Sequence, residues 1–236
     1  MQQSVSRVVL CFIAFILMLT SSTQAQGHER TTVSFNKPMD TAQARYVIEL
    51  MSRVYDQLGY TLDIVDYSHA QALAAADQGV FDGQLARIAN IESQYENLLR
   101  VNYPLFNFEL FMLTRCQDCD LNALSSIAMR NGYPVTEQYL DEHNYQGQRI
   151  KIENVSAQLN LLAQQQVDGV VLLDFHLQSE MNAGIDERFQ RHHLANYHSY
   201  HYVHKRHQQR IPKILAALKE LEEQGVVSEL KEKYGL

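Results

Sequence analysis

The sequence predicts an α/β protein of two similar lobes, each a βαβ-type sheet flanked by helices. A repeated sentence is the first observation behind this. Residues 79–87 read Gly-Val-Phe-Asp-Gly-Gln-Leu-Ala-Arg, and residues 166–174 read Gln-Val-Asp-Gly-Val-Val-Leu-Leu-Asp. Each follows a stretch rich in Ala, Leu and Gln (71–78 and 157–166), turns at Asp-Gly and enters an apolar run. Helix, tight turn and buried strand make half of a βαβ unit. The second observation is that such units alternate along most of the chain. The third is that both runs end on a charge, Arg87 in one and Asp174 in the other. Ligands of open α/β sheets collect beyond the carboxyl ends of the strands. The two charges are therefore expected to face a shared cleft from opposite lobes.

In the first lobe, 31–36 reads as a strand. Asp40 and Thr41 are good N-cap residues for a helix over 42–58, whose Val47, Leu50, Met51, Val54 and Leu58 share one face. Gly59 stops it, and 61–65 is a second strand. Ser68 is placed to cap a helix running to Asp77, and Asp82-Gly83 opens a third strand toward Arg87. Residues 95–105, with Pro104, read as extended or irregular. In the second lobe, strands are expected at 109–114, 126–130, 149–153 and 170–173. Helices are expected at 136–143 and from a cap at Ser156 to Gln166. An aromatic, alternating strand near 197–204 returns the chain to the first lobe. A helical ending over 211–234 carries Ile214, Leu215, Leu218 and Leu221 in a stripe and breaks at Gly225. The expected organisation is a signal peptide at 1–25, lobe one at 26–107, lobe two at 108–196, and a return to lobe one at 197–236.

Composition narrows the function classes. Residues 1–25 carry one charge, Arg7, then an apolar run of about a dozen residues and a small-residue stretch ending at Ala25. That is the pattern of a cleaved export signal, with the mature chain starting near Gln26 in the periplasm. The run is short for a bilayer span, and Cys11 sits too early for lipid attachment. Formal net charge is −7, and loss of Arg7 makes the remainder more acidic. Phosphate backbones need cationic patches, so no nucleic-acid partner is expected. Cys116 and Cys119 would close a small structural disulfide in an oxidising compartment. The alternative, redox chemistry, belongs at a helix N-terminus, whereas this pair follows a strand. A zinc site is not expected, because no second Cys pair exists. Gly-x-Ser-x-Gly, phosphate-loop and His-Glu-x-x-His patterns are missing from the sequence, which weakens enzymatic readings.

Binding candidates follow from chemistry and position. Arg87 offers a guanidinium fork suited to a carboxylate, the alternative being a structural ion pair. Asp174 offers an acceptor for an ammonium or hydroxyl, or else caps the next loop. Thr41, Ser68, Thr136 and Ser156 lie near helix N-termini, whose free N–H groups attract anions, although plain capping is the simpler role. Tyr67, Arg130 and Tyr133 could pack on a ligand, or be half-buried core residues. Six of the ten histidines fall between His192 and His207. On a strand they alternate between faces and cannot all converge, so packing or solvation is expected ahead of metal binding or pH sensing.

Taken together, Leu73…Gly79-Val80-Phe81-Asp82-Gly83, Tyr95-Glu96-Asn97-Leu98 with Val101 and Pro104, Val167 to Asp174, and the tail from His204 to Gly235 resemble the type II periplasmic solute-binding proteins, in particular the amino-acid-type family 3. The resemblance covers nearly all of the chain after residue 25 and rests on order and spacing rather than on one motif. It implies two lobes joined by two crossings that close on a small polar or zwitterionic ligand, with no cofactor. It also implies a monomer that works with a membrane permease of the ABC type or with a sensor. A lyase or dehydratase on the same scaffold is the alternative of a different class. In the amino-acid-binding relatives, an Arg of lobe one holds the ligand carboxylate and an Asp of lobe two its ammonium. Asp174 matches the second. Gln94 and Tyr95 stand where the family usually has the first. Either Arg87 serves from another position, or the ligand is not a plain α-amino acid.

Overall fold

The computed structural model describes residues 31–68, 71–131, 133–178 and 189–236. The expected signal peptide lies outside them. Among the described residues, no helix is long and apolar enough to cross a membrane.

The chain begins with a parallel pair, β1 (Thr31–Asn36) and β2 (Tyr60–Val65), joined by helix α1 (Ala42–Gln57). Thr41 caps α1 by accepting the Ala44 N–H at 3.1 Å. The helix buries Val47, Leu50, Met51 and Val54, each contributing about 1.5–3 kcal/mol of burial. Gly59, at φ +80°, ends it with a left-handed residue. Helix α2 (Ala72–Asp77) and strand β3 (Gly83–Ile88) follow. Then come β4 (Leu98–Thr114), β5 (Ser126–Arg130), α3 (Pro134–Glu142), β6 (Gln148–Ile152), α4 (Val155–Ala163), β7 (Gly169–Leu173), α5 (Asp174–Gln178) and β8 (Gln190–His204). The chain ends on α6 (Ile211–Glu223) and α7 (Val226–Tyr234).

Six strands form a second sheet in the order β3-β8-β4-β7-β5-β6. Pairs β3–β8, β8–β4 and β4–β7 are antiparallel, whereas β7–β5 and β5–β6 are parallel. Its two ends belong to different cores. One core joins β1, α1 and the first half of β4 to Val203, Ile214, Leu218, Leu221 and Leu230. The other half of β4 alternates between two further clusters. Leu110 and Met112 pack with Tyr139 and Leu140 of α3, while Phe111 and Leu113 pack with Val155 and Leu162 of α4. A sheet covered by helices on both faces reads as a continuous apolar run, which is why Val170–Leu173 does. The molecule is thus a two-lobed α/β protein with β4 and β8 running through both lobes.

The structure corrects several boundaries. Residues 98–114 form one long strand rather than an irregular stretch followed by a short strand. The register with β8 shifts on both sides of Pro104, where a residue without an N–H is tolerated. Strand β8 begins at Gln190, not near Tyr197, because pairing with β4 recruits a polar segment that lacks a strand pattern of its own. Ser68 does not cap α2, which starts at Ala72 after an uncapped Gln71. Asn154 rather than Ser156 caps α4, its side chain accepting the Ala157 N–H. Helix α3 begins at Pro134 with Tyr133 as N-cap, so Thr136 lies inside it and is buried. Helix α5, which starts directly at Asp174, was not expected.

The two Asp-Gly turns share one construction. Asp82 Oδ2 accepts the Ser34 backbone N–H at 2.7 Å and the Ser34 hydroxyl at 3.3 Å, and the Asp82 N–H donates back to the Ser34 carbonyl at 2.9 Å. Asp168 Oδ2 accepts the Ser126 N–H at 3.1 Å and its hydroxyl at 3.3 Å, and the Asp168 N–H donates to the Ser126 carbonyl at 3.2 Å. In each lobe an aspartate clasps a serine on a neighbouring strand, satisfying backbone groups where a strand begins.

Candidate functional site

A cavity of about 150 Å³ opens where β3 and the first turn of α1 meet the first turn of α3 and the end of β7. Strand β3 supplies the residues from Gln84 to Ile88, and α1 supplies Thr41, Gln43 and Ala44. From the other side come Tyr133, Pro134, Val135, Leu173 and Phe175, and the crossing strands add Phe106, Phe108 and Ser199. The Asp82-Gly83 turn fixes where β3 starts. A Cβ on Gly83 would lie 2.0 Å from the Tyr202 carbonyl oxygen, so only glycine allows β3 to approach β8 there. The β3–β8 register then shifts between Gln84 and Arg87. Such a bulge re-aims side chains, and both residues line the cavity.

Arg87 is half-buried. Its Nε is sealed from solvent without a hydrogen-bond partner, and no ion pair or hydrogen bond engages its guanidinium among the described residues. Burial lowers its pKa, while Tyr133 and Tyr95 act in the opposite direction. Gln84 is fully buried; its Nε2 donates to the Ala72 carbonyl at 2.9 Å, and its Oε1 has no donor among the described residues. Burial raises the Tyr133 pKa against the pull of Arg130 and Arg87, so its phenol stays protonated. Its hydroxyl reaches across to Met39 Sδ at 3.4 Å, and its ring meets Phe175 at 6.4 Å. Arg130 stacks over the Tyr133 ring at 5.4 Å, and its own Nε is buried without a hydrogen bond. Phe108 packs against Phe175 at 5.5 Å and stacks on Tyr197 at 5.7 Å, which gives the second lobe an aromatic wall.

Of the residues singled out from sequence, the structure brings Thr41, Arg87 and Tyr133 to one cavity, with Arg130 behind Tyr133. Asp174 does not line the cavity. Its carboxylate caps the following helix, accepting the Phe175 N–H at 2.7 Å. Burial raises its pKa, opposed by the Glu109 and Phe175 N–H groups. Its neighbour Phe175 reaches the cavity instead. Tyr67 is exposed and packs edge-on against Phe81 at 5.2 Å. Ser68 and Ser156 are exposed and away from the cavity, and Thr136 is buried within α3. Sequence reasoning missed Gln84, Phe106, Phe108 and Phe175. The signal for Phe106 and Phe108 was a Phe-Asn-Phe flanking the crossing.

The histidines disperse, as strand geometry requires. His201 is fully buried, with Nε2 2.8 Å from the Tyr55 hydroxyl and Nδ1 3.2 Å from the Leu85 carbonyl. His198 pairs with Asn107, His192 with Thr114 and His193 with Glu109. His207 joins Arg206 on Asp82. Burial raises the Asp82 pKa, but the Ser34 N–H, Arg206 and His207 outweigh it and the net shift is downward. Cys116 and Cys119 form a disulfide just beyond β4.

No family model and no curated protein matches the sequence. Solved structures match it across most of its length. A substrate-binding protein of an ABC uptake transporter from Streptococcus pneumoniae, with bound histidine, is 15% identical and has a TM-score of 0.68, covering 86% of this chain and 92% of that one. An ancestral amino-acid-binding protein, a precursor of cyclohexadienyl dehydratase, is 14% identical at a TM-score of 0.68, covering 87% of this chain and 96% of that one. A histidine kinase sensor domain similar to periplasmic binding proteins is 15% identical, also at 0.68, over 88% and 96%. Together with the strand order, the two crossings and the cavity between two cores, these likenesses show that the chain has the two-lobed α/β fold of the periplasmic amino-acid-binding proteins.

Proposed function

We propose that this chain is an exported solute-binding protein that captures a small, carboxylate-bearing molecule between its lobes. Arg87 carries the reading. A half-buried guanidinium whose Nε is sealed from water and which has no counter-charge among the described residues is costly, and it lies at a strand end, in a cavity, where a ligand would compensate it. Tyr133 would close over the ligand from the second lobe, with Arg130 supporting its ring. Asp174 would act indirectly by fixing Phe175. In this reading lobe one comprises 26–107 and 197–236, lobe two comprises 108–196, and a signal over 1–25 is removed on export to the periplasm. The bound histidine of the Streptococcus pneumoniae relative supports an amino-acid-like ligand and delivery to an ABC permease.

The sensor-domain neighbour supports a second reading, in which ligand is reported to a membrane receptor rather than imported. Catalysis is less well supported. Among the described residues, the cavity lining holds no carboxylate, imidazole or thiol to act as acid or base, and burial raises the pKa of the Tyr133 phenol. The deciding experiment is a thermal-shift screen of amino acids, amines and carboxylates on the exported protein. A ligand at a hundred times its Kd should stabilise by about 2.7 kcal/mol. Arg87→Ala should abolish that shift, losing about 2–5 kcal/mol of binding. Full retention of binding in that variant would remove Arg87 from the site.

A further inference from the structure

The relatives that bind α-amino acids must hold two charges, a carboxylate and an ammonium. The lining of this cavity answers only one of them. Among the described residues Arg87 is its single formal charge, and no Asp or Glu contributes to it. The position from which an acid was expected, Asp174, is not part of the lining, and its oxygens take the N–H groups of Glu109 and Phe175. The fields of two helices add to the imbalance. The first turns of α1, at Thr41, Gln43 and Ala44, and of α3, at Tyr133, Pro134 and Val135, line the cavity from opposite lobes. A helix N-terminus favours negative charge and disfavours positive. With the guanidinium, all three sources have the same sign. An ammonium brought here would be desolvated against a positive field, with only neutral oxygens such as Gln84 Oε1 to accept from it.

Most of the remaining lining is apolar, with Asn36, Thr41, Gln43, Gln84 and Ser199 as its neutral polar members. Phe106, Phe108 and Phe175 form one side, and Leu173, Ile88 and Leu73 are among the others. A volume of about 150 Å³ is the size of cavity that takes up a benzene-sized body. We propose that the physiological ligand is a monocarboxylate with an aromatic or branched apolar body and no ammonium group, its carboxylate on Arg87 and its body against the phenylalanines. This rests on the solute-binding reading above and narrows it.

The test uses pairs of ligands that differ in one group. Calorimetry on the mature protein would compare phenylalanine with 3-phenylpropionate and 3-phenyllactate, and leucine with 4-methylpentanoate. In each pair the ammonium-free acid should bind at least tenfold more tightly, and Arg87→Ala should lose that binding. Arg87→Lys, which keeps the charge without the fork, should retain part of it, and circular dichroism would show that both variants remain folded. Tighter binding of phenylalanine or leucine than of their ammonium-free partners, lost in Arg87→Ala, overturns the ligand class and leaves the solute-binding reading standing. Equal affinities within a pair also overturn the class. Absence of binding by every acid, with Arg87→Ala altering only thermal stability, overturns both.

Discussion

At the scale of single residues, the two aspartates of the Asp-Gly turns explain the repeated sentence by structure rather than by ligand chemistry. Asp82 and Asp168 each hold a serine of another strand, and the sequence announced the turns without naming the serines. Ser34 and Ser126 are distant in the chain, and no local pattern ties them to their partners. Asp168→Ala should cost about 1 kcal/mol in urea unfolding, because the half-buried Ser126 N–H loses its side-chain acceptor; Asp168→Asn, which keeps an acceptor, should cost less. His201 carries a pH prediction. Burial lowers its pKa to about 4, against 6.5 for a free imidazole. The unfolded chain therefore takes up this proton first. The stability associated with the neutral ring is complete above about pH 6.5, declines as pH falls, and levels off near pH 4, a loss of about 3 kcal/mol. His176, held to about 3 by burial and by Arg130, adds to the loss in the same direction. Unfolding free energies measured at pH 7 and pH 4.5 should differ less in His201→Gln than in the parent protein.

At the scale of elements, helices with a clear apolar face were legible nearly to their ends, as α1 and α6 illustrate. Caps were less so. Thr41 performs its expected role, whereas Ser68 and Ser156 lost theirs to neighbouring residues, because several polar side chains near a helix start compete for the same N–H groups. Strand β8 was half legible. Its aromatic portion alternates, but its beginning, Gln190 to Leu194, is polar and takes strand form only through pairing with β4. The candidate site divides in the same way. Arg87 could be read from its place at a strand end. Phe175 could not, since it depends on α5 turning the chain directly after β7. The disulfide, by contrast, was readable from spacing and the expected compartment. Cys116 and Cys119 lie beyond β4, outside the cavity lining, and the bridge closes a loop of sequence separation 3, so the entropy it removes from the unfolded chain is small. Replacing both with Ser should leave ligand affinity within a few-fold, as measured by calorimetry.

At the scale of the whole molecule, the order of elements was the strongest signal in the sequence, and it led to the two-lobed architecture. What the order did not reveal is that β4 and β8 are continuous from one lobe into the other. A paired ribbon of this kind bends at its bulges, and those flanking Pro104 and Phe106 lie where the two cores meet. Closure about these points would tighten the contact between Tyr133 and Met39. Small-angle scattering should accordingly register a smaller radius of gyration when a ligand is added, and Arg87→Ala should remove that change because the charge that rewards closure is gone.

The contribution of α6 and α7 to the first core has a consequence for how the molecule is made. Glu49 of α1 accepts from Lys233 and Tyr234 at 2.7 Å each, and Gln57 donates to Glu220 at 3.0 Å. Helix α1 can pack on β1 and β2 as soon as they are made, whereas the part of its surface that meets α6 and α7 stays uncovered until synthesis is nearly over. The middle segment has no such debt, since α3, α4 and β5 to β7 find their partners nearby in sequence. Completion of the first core therefore lags behind that of the middle segment. Nascent chains stalled before residue 211 should hold a protease-resistant core made of middle residues, while the segment around α1 is cleaved more readily.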